Sequence, residues 1–102
     1  MGAPCSDAGG RQITYADIRD RVFSDPGSHV EKWDDMSQTP YYVYRNETGS
    51  SQIWFDNPRS LQLKYSLAKQ LNLLGVGAWR ADALNYTHDP AESANMWNSL
   101  KY

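Results

Sequence analysis

Leu73-Leu74-Gly75-Val76-Gly77-Ala78-Trp79 is the stretch on which the fold turns. It is apolar throughout, with no alternation, which is the pattern of a strand buried on both faces of a parallel sheet. Its two internal glycines allow close approach of a neighbouring backbone or side chain. Upstream, Asp56-Asn57-Pro58 reads as a helix start: Asp56 or Asn57 can cap the free amides, and Pro58 suits the first turn. The predicted helix runs to about Leu71, with Leu61, Tyr65, Ala68 and Leu71 recurring at three and four and with Leu63 and Leu67 widening the stripe. Asn72 ends that pattern. Downstream, Asp89 and Pro90 open a last helix over 89–100, with Ala91, Ala94, Met96, Trp97 and Leu100 as its apolar positions. Gln52-Ile53-Trp54-Phe55, ahead of the first of these helices, reads as a strand. The second half is therefore strand, helix, strand, helix: a βα repeat with a parallel pair, connected right-handedly.

Working back towards the N-terminus, Pro40-Tyr41-Tyr42-Val43-Tyr44 is aromatic and β-branched and reads as a strand. Arg45 to Ser51 reads as a hairpin loop, so 40–55 forms an antiparallel pair. His29 to Gln38 is polar around Trp33 and Met36 and is expected to be irregular. Thr14 opens a short helix, its hydroxyl placed to accept from the amide three residues on, with Asp17 in the first turn where negative charge is favoured. Ile13, Ile18, Val22 and Phe23 give this helix a narrow apolar side, and Asp25-Pro26-Gly27-Ser28 stops it. One βαβα unit supplies only a two-stranded parallel sheet, whereas parallel sheets need several strands with both faces covered. The unit is expected to belong to something larger.

With 102 residues, 40% hydrophobic and 22% charged, there is room for one small domain and too much apolar content for a disordered tail. The net charge is −2 and the basic residues are scattered among the acids, so no nucleic-acid partner is expected. No run approaches the roughly 18 apolar residues of a membrane span, and Met1 to Gly10 lacks the apolar core of a secretory signal. Asn46-Glu47-Thr48 and Asn85-Tyr86-Thr87 are both glycosylation sequons in loop-like stretches and point towards the secretory route. Cys5 is the only cysteine. It is either a free thiol in the N-terminal segment or half of a disulfide whose partner lies upstream or on another chain. His29 and His88 have no Cys, His or Asp cluster around them, so no metal is expected. Gly75-Val76-Gly77 is not followed by a helix and fails the dinucleotide pattern, so no cofactor is expected.

Several stretches together carry a resemblance: GAPCSDAGGRQ at 2–12, PYYVY at 40–44, QIWFDNPRSLQLK at 52–64, LLGVGAW at 73–79 and ALNY at 83–86. An aromatic-Asp-Asn-Pro-x-Ser motif with a Lys four residues on, then a helix and Gly-Val-Gly-x-Trp, is specific. The chain resembles glycoside hydrolase family 18, in its chitobiase-like branch, over nearly its whole length. The resemblance implies an α/β fold: a partial (β/α)8 barrel of the TIM type, here its last βαβα segment plus an antiparallel hairpin from an insertion domain. On that reading 1–51 is the insertion-domain-like segment with its short helix and hairpin. Residues 52–102 are the last two βα units, with 52–55 as the seventh strand and 74–79 as the eighth. Active sites of such barrels lie at the C-terminal ends of strands.

The resemblance also implies an N-acetylglucosamine oligosaccharide as ligand and Trp79, at the end of the eighth strand, as the floor of its binding subsite. A flat indole beneath a pyranose covers apolar C–H surface and leaves the hydroxyls free. Trp54 and Asp56, at the end of the seventh strand, can line the same cleft. Read from the residues alone, Trp79 suits a core tryptophan, Asp56 suits helix capping, and Tyr41, Tyr42 and Tyr44 suit cross-strand packing better than a sugar-stacking wall. The family's acidic D-x-x-D-x-D-x-E run has no match here, and Glu31, Glu47 and Glu92 stand in no such setting. Arg80 and Ala83 replace the Asn and Cys that the resemblance leads one to expect. The expected role is thus barrel closure and sugar contact without catalysis by the chain itself, with the remainder of the barrel or other protein chains as partners. The competing expectation is a truncated, non-catalytic relative that binds carbohydrate or assembles with other chains. The implied compartment is lysosomal or extracellular.

Overall fold

In the computed structural model, residues 10–24, 30–47 and 49–101 are described, without the side chains of 22–24 and 46. Helix α1 spans Tyr15–Ser24. Strands β1 (Lys32–Asp34), β2 (Thr39–Asn46) and β3 (Gly49–Trp54) form one antiparallel sheet in the order β1-β2-β3. Helix α2 spans Pro58–Gln70 and α3 spans Pro90–Asn98.

Each helix starts where its first residues satisfy the free amides. At α1, the Asp17 amide donates to Thr14 Oγ1 at 3.1 Å and the Thr14 amide to Asp17 Oδ2 at 3.3 Å. At α2, the Ser60 amide donates to Asn57 Oδ1 at 2.9 Å while the Asn57 amide donates to Ser60 Oγ at 3.0 Å, a reciprocal box closed by Pro58 in the first turn. At α3, Asp89 is the cap, accepting from the Glu92 amide at 3.4 Å. Helix α2 ends as the sequence predicts: Asn72 takes φ +51°, a left-handed conformation that asparagine tolerates, and Leu73 N–H reaches back to the Ala68 carbonyl at 3.0 Å.

The hairpin is longer and tighter than the sequence suggests. The ladder runs from Tyr41 opposite Trp54 to Asn46 opposite Gly49, so most of the expected loop 45–51 is strand. Gly49, at φ +137°, supplies the backbone that the sharp reversal needs. The stretch 29–38, expected to be irregular, contributes β1 and a turn in which Asp34 accepts from both the amide and the hydroxyl of Ser37, at 2.7 and 2.6 Å. The tyrosines pack across the sheet: Tyr41 stacks on Trp54 at 4.4 Å and Tyr42 on Phe55 at 5.1 Å. Trp33 is covered by the Arg59 guanidinium, 3.8 Å from its ring centre.

The core is small: Ile18, Tyr42, Tyr65 and Ala68 are its buried apolar side chains, with Pro40 and Ser60 fully enclosed. Two polar ties close α1 onto α3. Tyr15 donates its hydroxyl proton to Glu92 Oε1 at 2.7 Å, and Arg19 donates twice to Asp89 Oδ2, at 3.1 and 2.9 Å. Burial and the neighbouring Glu92 push the Tyr15 phenol well above its usual range, so it stays a donor.

The predicted parallel pair does not form. Residues 52–54 pair antiparallel with β2, and 73–79 have no sheet partner among the described residues. Leu74 and Trp79 are exposed, as are Leu63, Leu67 and Leu71 on the outer side of α2. The reason is physical: a strand buried on both faces holds its shape only between hydrogen-bonded neighbours, and the described residues provide none. The apolar positions are those the sequence marks, and among the described residues nothing covers them. Cys5, the helix stop 25–28, His29, the side chains of Val22 and Phe23, and Thr48 of the first sequon lie outside the described residues.

Two stability outcomes are expected. Asn57→Ala removes the α2 cap and also the bond from Asn57 Nδ2 to Glu31 Oε1, and should lower unfolding stability in urea by about 1–2 kcal/mol. Hydrogen bonds to their carboxylates, from Thr14 and from Ser37, hold Asp17 and Asp34 below the usual carboxylate range. Their contribution is complete above the unfolded value of about 3.9 and is lost as pH falls through the lower folded values. Urea midpoints should therefore drop on acidification below about pH 4, and Asp34→Asn, which keeps the acceptor oxygen but cannot titrate, should make that drop shallower.

Candidate functional site

An open cleft of about 1030 Å³ runs between the N-terminal end of α1, strand β3, the inner side of α2, the segment 77–84 and the end of α3. Trp54, Asp56 and Trp79, the three residues singled out from the sequence, all line it, together with Lys64, Tyr65 and Arg80.

Trp79 sits in the irregular stretch beyond α2 with its indole 96% exposed, so it is not a core tryptophan in this arrangement. The residues C-terminal to it are anchored. Arg80 forks onto Asp82, with Nε to Oδ1 at 2.6 Å and Nη2 to Oδ2 at 2.5 Å, ahead of a 3-10 turn at Ala81–Ala83. Tyr86 donates to the Ala81 carbonyl at 2.8 Å, and Trp97 Nε1 of α3 donates to the Tyr86 oxygen at 3.1 Å. A chain of hydrogen bonds thus ties the base of Trp79 to the last helix.

Asp56 does not cap α2; Asn57 does. The Asp56 carboxylate instead accepts from Ser60 Oγ at 2.8 Å and from Lys64 Nζ at 2.7 Å on both oxygens. The capping reading of the Asp56-Asn57 pair therefore belongs to Asn57, and Asp56 brings a neutralised carboxylate to the cleft wall. Trp54 is held on two sides: Tyr41 stacks on it with an interplanar angle of 16°, and its Nε1 donates to Gln52 Oε1 at 3.2 Å.

The electrostatics of the cleft suit binding. Its carboxylates are Asp17 and Asp56; the first is held below its usual range by Thr14, the second is paired with Lys64. The Asp17 carboxylate, held low in this way, is ionised at neutral pH and is no proton donor. None of the glutamates lines the cleft: Glu31 accepts from Tyr42 and Asn57, Glu92 accepts from Tyr15, and Glu47 lies in the hairpin turn. What remains is aromatic surface edged by polar groups, which can hold a ring with apolar faces and a hydroxylated rim.

Of the sequons, Asn46 ends β2, and Asn85 uses its Oδ1 to accept from the His88 amide at 3.0 Å in the turn before α3. Among the described residues no group of three His, Cys, Asp or Glu could hold a metal ion, and no helix is long and apolar enough to cross a membrane. Sequence reasoning did not single out Gln52, Lys64 or the Trp97–Tyr86 link. The first was legible, since residues two apart on a strand share a face; the other two join residues eight and eleven positions apart and obey no short pattern.

Comparisons with known proteins bear on the family and the fold. The family model described as glycosyl hydrolases family 18 matches residues 6–83. The chain is 40% identical to di-N-acetylchitobiase of Rattus norvegicus, over 98% of this chain and 28% of that protein. It is 38% identical to the Homo sapiens di-N-acetylchitobiase, over 98% of this chain and 26% of that one. It spans just over a quarter of the length of these curated relatives. Among solved structures, the spore cortex-lytic enzyme SleL of Bacillus megaterium QM B1551 shares the fold with a TM-score of 0.67 at 23% identity, over 96% of this chain and 22% of that one.

Because the Trp79 indole is exposed, Trp79→Ala should leave unfolding stability within about 0.5 kcal/mol of the parent. Tyr65→Ala, which empties a buried site, should cost about 3 kcal/mol or more. Urea denaturation followed by far-UV circular dichroism checks the contrast.

Proposed function

The chain belongs to glycosyl hydrolases family 18, and from that premise we propose that it forms the carbohydrate-contacting, barrel-closing part of a chitobiase-like glycosidase acting on N-acetylglucosamine-containing glycans. The observation that supports this is the convergence of Trp54, Asp56 and Trp79 on one cleft that holds no glutamate. In the substrate-assisted reaction of this family, a glutamic acid protonates the leaving glycosidic oxygen while the sugar's own acetamido group attacks the anomeric carbon. This chain supplies the floor and wall against which the sugar is held. The acid comes from the remainder of the barrel or from another chain, and the chain alone does not hydrolyse the bond.

The apolar run 73–79 and the leucines of α2 support the same reading. Parallel neighbours on both sides of 73–79 would satisfy its backbone groups, and the exposed Leu63, Leu67 and Leu71 would meet the adjoining barrel elements. We place the boundary between the insertion-domain-like segment and the last two βα units at 51/52. Asn46 and Asn85 are the glycosylation sites of a lysosomal or extracellular glycoprotein, and Cys5, outside the described residues, is either a free thiol or half of a disulfide whose partner lies upstream or on another chain. The same uncovered leucines also favour a second reading, a non-catalytic relative that binds carbohydrate or assembles through this face. The two separate on whether the native protein carries the acidic signature, on this polypeptide or a bound one, which intact mass measurement and peptide mapping read directly.

Calorimetric titration with N-acetylglucosamine oligomers tests the sugar site. The native protein should bind them, and Trp79→Ala should weaken binding at least tenfold, a loss of about 1.4 kcal/mol. No binding, or binding indifferent to Trp79, would overturn the proposal.

A further inference from the structure

Trp54 is built differently from Trp79. Trp79 is free on both faces at 96% exposure, whereas Trp54 is half exposed and fixed. Its cross-strand partner Tyr41 lies directly opposite it in the ladder and stacks on it at 4.4 Å. Tyr41 does not line the cleft; Trp54 and Gln52 do. The tyrosine therefore backs the indole from the side away from the cleft. Gln52, two residues earlier on the same face of β3, accepts the indole N–H on Oε1 at 3.2 Å and so removes the remaining freedom of the ring to turn. A glutamine amide also carries two N–H donors, and among the described residues the Gln52 nitrogen donates to nothing. An indole held at its back and its edge, beside an unused donor, is preorganised: binding against it orders no rotamer of its own.

We propose that Trp54 is a second sugar-stacking surface of the cleft, with Tyr41 and Gln52 as its positioning residues and the Gln52 amide nitrogen as donor to a hydroxyl or acetamido oxygen of the sugar resting there. This rests on the reading of the cleft as an N-acetylglucosamine site and deepens it. Trp79 and Trp54 then hold different residues of one oligosaccharide, and the fixed indole selects for chain length. The acetamido carbonyl is a strong acceptor, so the free amide donor favours N-acetylated sugars over their plain counterparts.

The test is titration of the native protein with the N-acetylglucosamine dimer and tetramer. Trp79→Ala should weaken both. Trp54→Ala should weaken the tetramer about tenfold and the dimer much less. Gln52→Glu keeps an acceptor for the indole N–H but loses the donor, and should weaken the tetramer about threefold to tenfold. Its exposed position leaves folding intact, so it carries the test if Trp54→Ala fails to fold. Tyr41→Ala should weaken the tetramer and abolish the near-ultraviolet dichroism of the stacked pair, while Tyr41→Phe restores both. A tetramer that binds Gln52→Glu and Trp54→Ala as tightly as the parent, with Trp79→Ala still impaired, overturns this inference and leaves the sugar site standing. If the native protein binds neither oligomer, the sugar-site reading falls, and this inference falls with it.

Discussion

The start of α2 is where the structure is tied together. Ser60 is fully buried, and its hydroxyl and amide are engaged with Asn57, while the same hydroxyl donates to Asp56. Asn57 in turn donates to Glu31, which also accepts from Tyr42 of β2 at 3.4 Å. These few side chains thereby fix the angle between the hairpin and the helix. Phe55, just before them, donates its amide to the Pro40 carbonyl and stacks on Tyr42. Without this junction β3 could not hold Trp54 at the cleft, nor could Asp56 meet Lys64 across two turns of α2. A buried polar group is costly unless it finds a partner, and Ser60, the buried one here, is satisfied at both its amide and its hydroxyl.

Beyond the junction, order is inherited rather than intrinsic. The chain has one well-packed corner and one uncovered face. Its corner uses short-range devices that any short peptide context can specify: capping side chains, a glycine at a reversal, an asparagine at a helix end. Its face, running along Leu63, Leu67 and Leu71 to Leu74 and Trp79, is composed for burial and lacks a cover among the described residues. A run with no polar position has no solvent side, so a strand of this kind cannot be stable at a sheet edge in water.

That division explains what the sequence did and did not make legible. The three helices and their caps at Thr14, Asn57 and Asp89 were readable because the signals lie within four residues of one another. Strand β2 was readable from its aromatic and β-branched run. The length of β3 was not, because Ser50, Ser51 and Gly49 have poor strand propensity and are recruited by the register that Tyr41 and Trp54 impose. Strand β1 was missed for the same reason: Lys32-Trp33-Asp34 has no pattern of its own and is ordered by pairing with 39–41. The apolar composition of 73–79 marks a tendency towards parallel pairing, but a parallel strand needs neighbours that the described residues do not contain. In the cleft, the aromatic residues were legible from the resemblance. The groups that orient them, Gln52, Lys64 and Tyr86, were not, since each acts on a partner brought near only by the fold.

The cleft combines aromatic surfaces with two engaged carboxylates, and on the proposed reading these bear on two separate tasks of glycoside hydrolysis. Stacking needs flat, fixed rings whose position tolerates little error; Tyr41 and Gln52 provide that for Trp54. Proton donation needs a carboxylic acid whose neutral form is stabilised, through burial or a nearby negative charge. Thr14 does the opposite to Asp17, stabilising its ionised form, and Asp56 is engaged in a salt bridge with Lys64. Rigidity at Trp54 and an exposed face at Trp79 are set by separate parts of the fold, the first by Tyr41 and Gln52 and the second by the irregular run beyond α2.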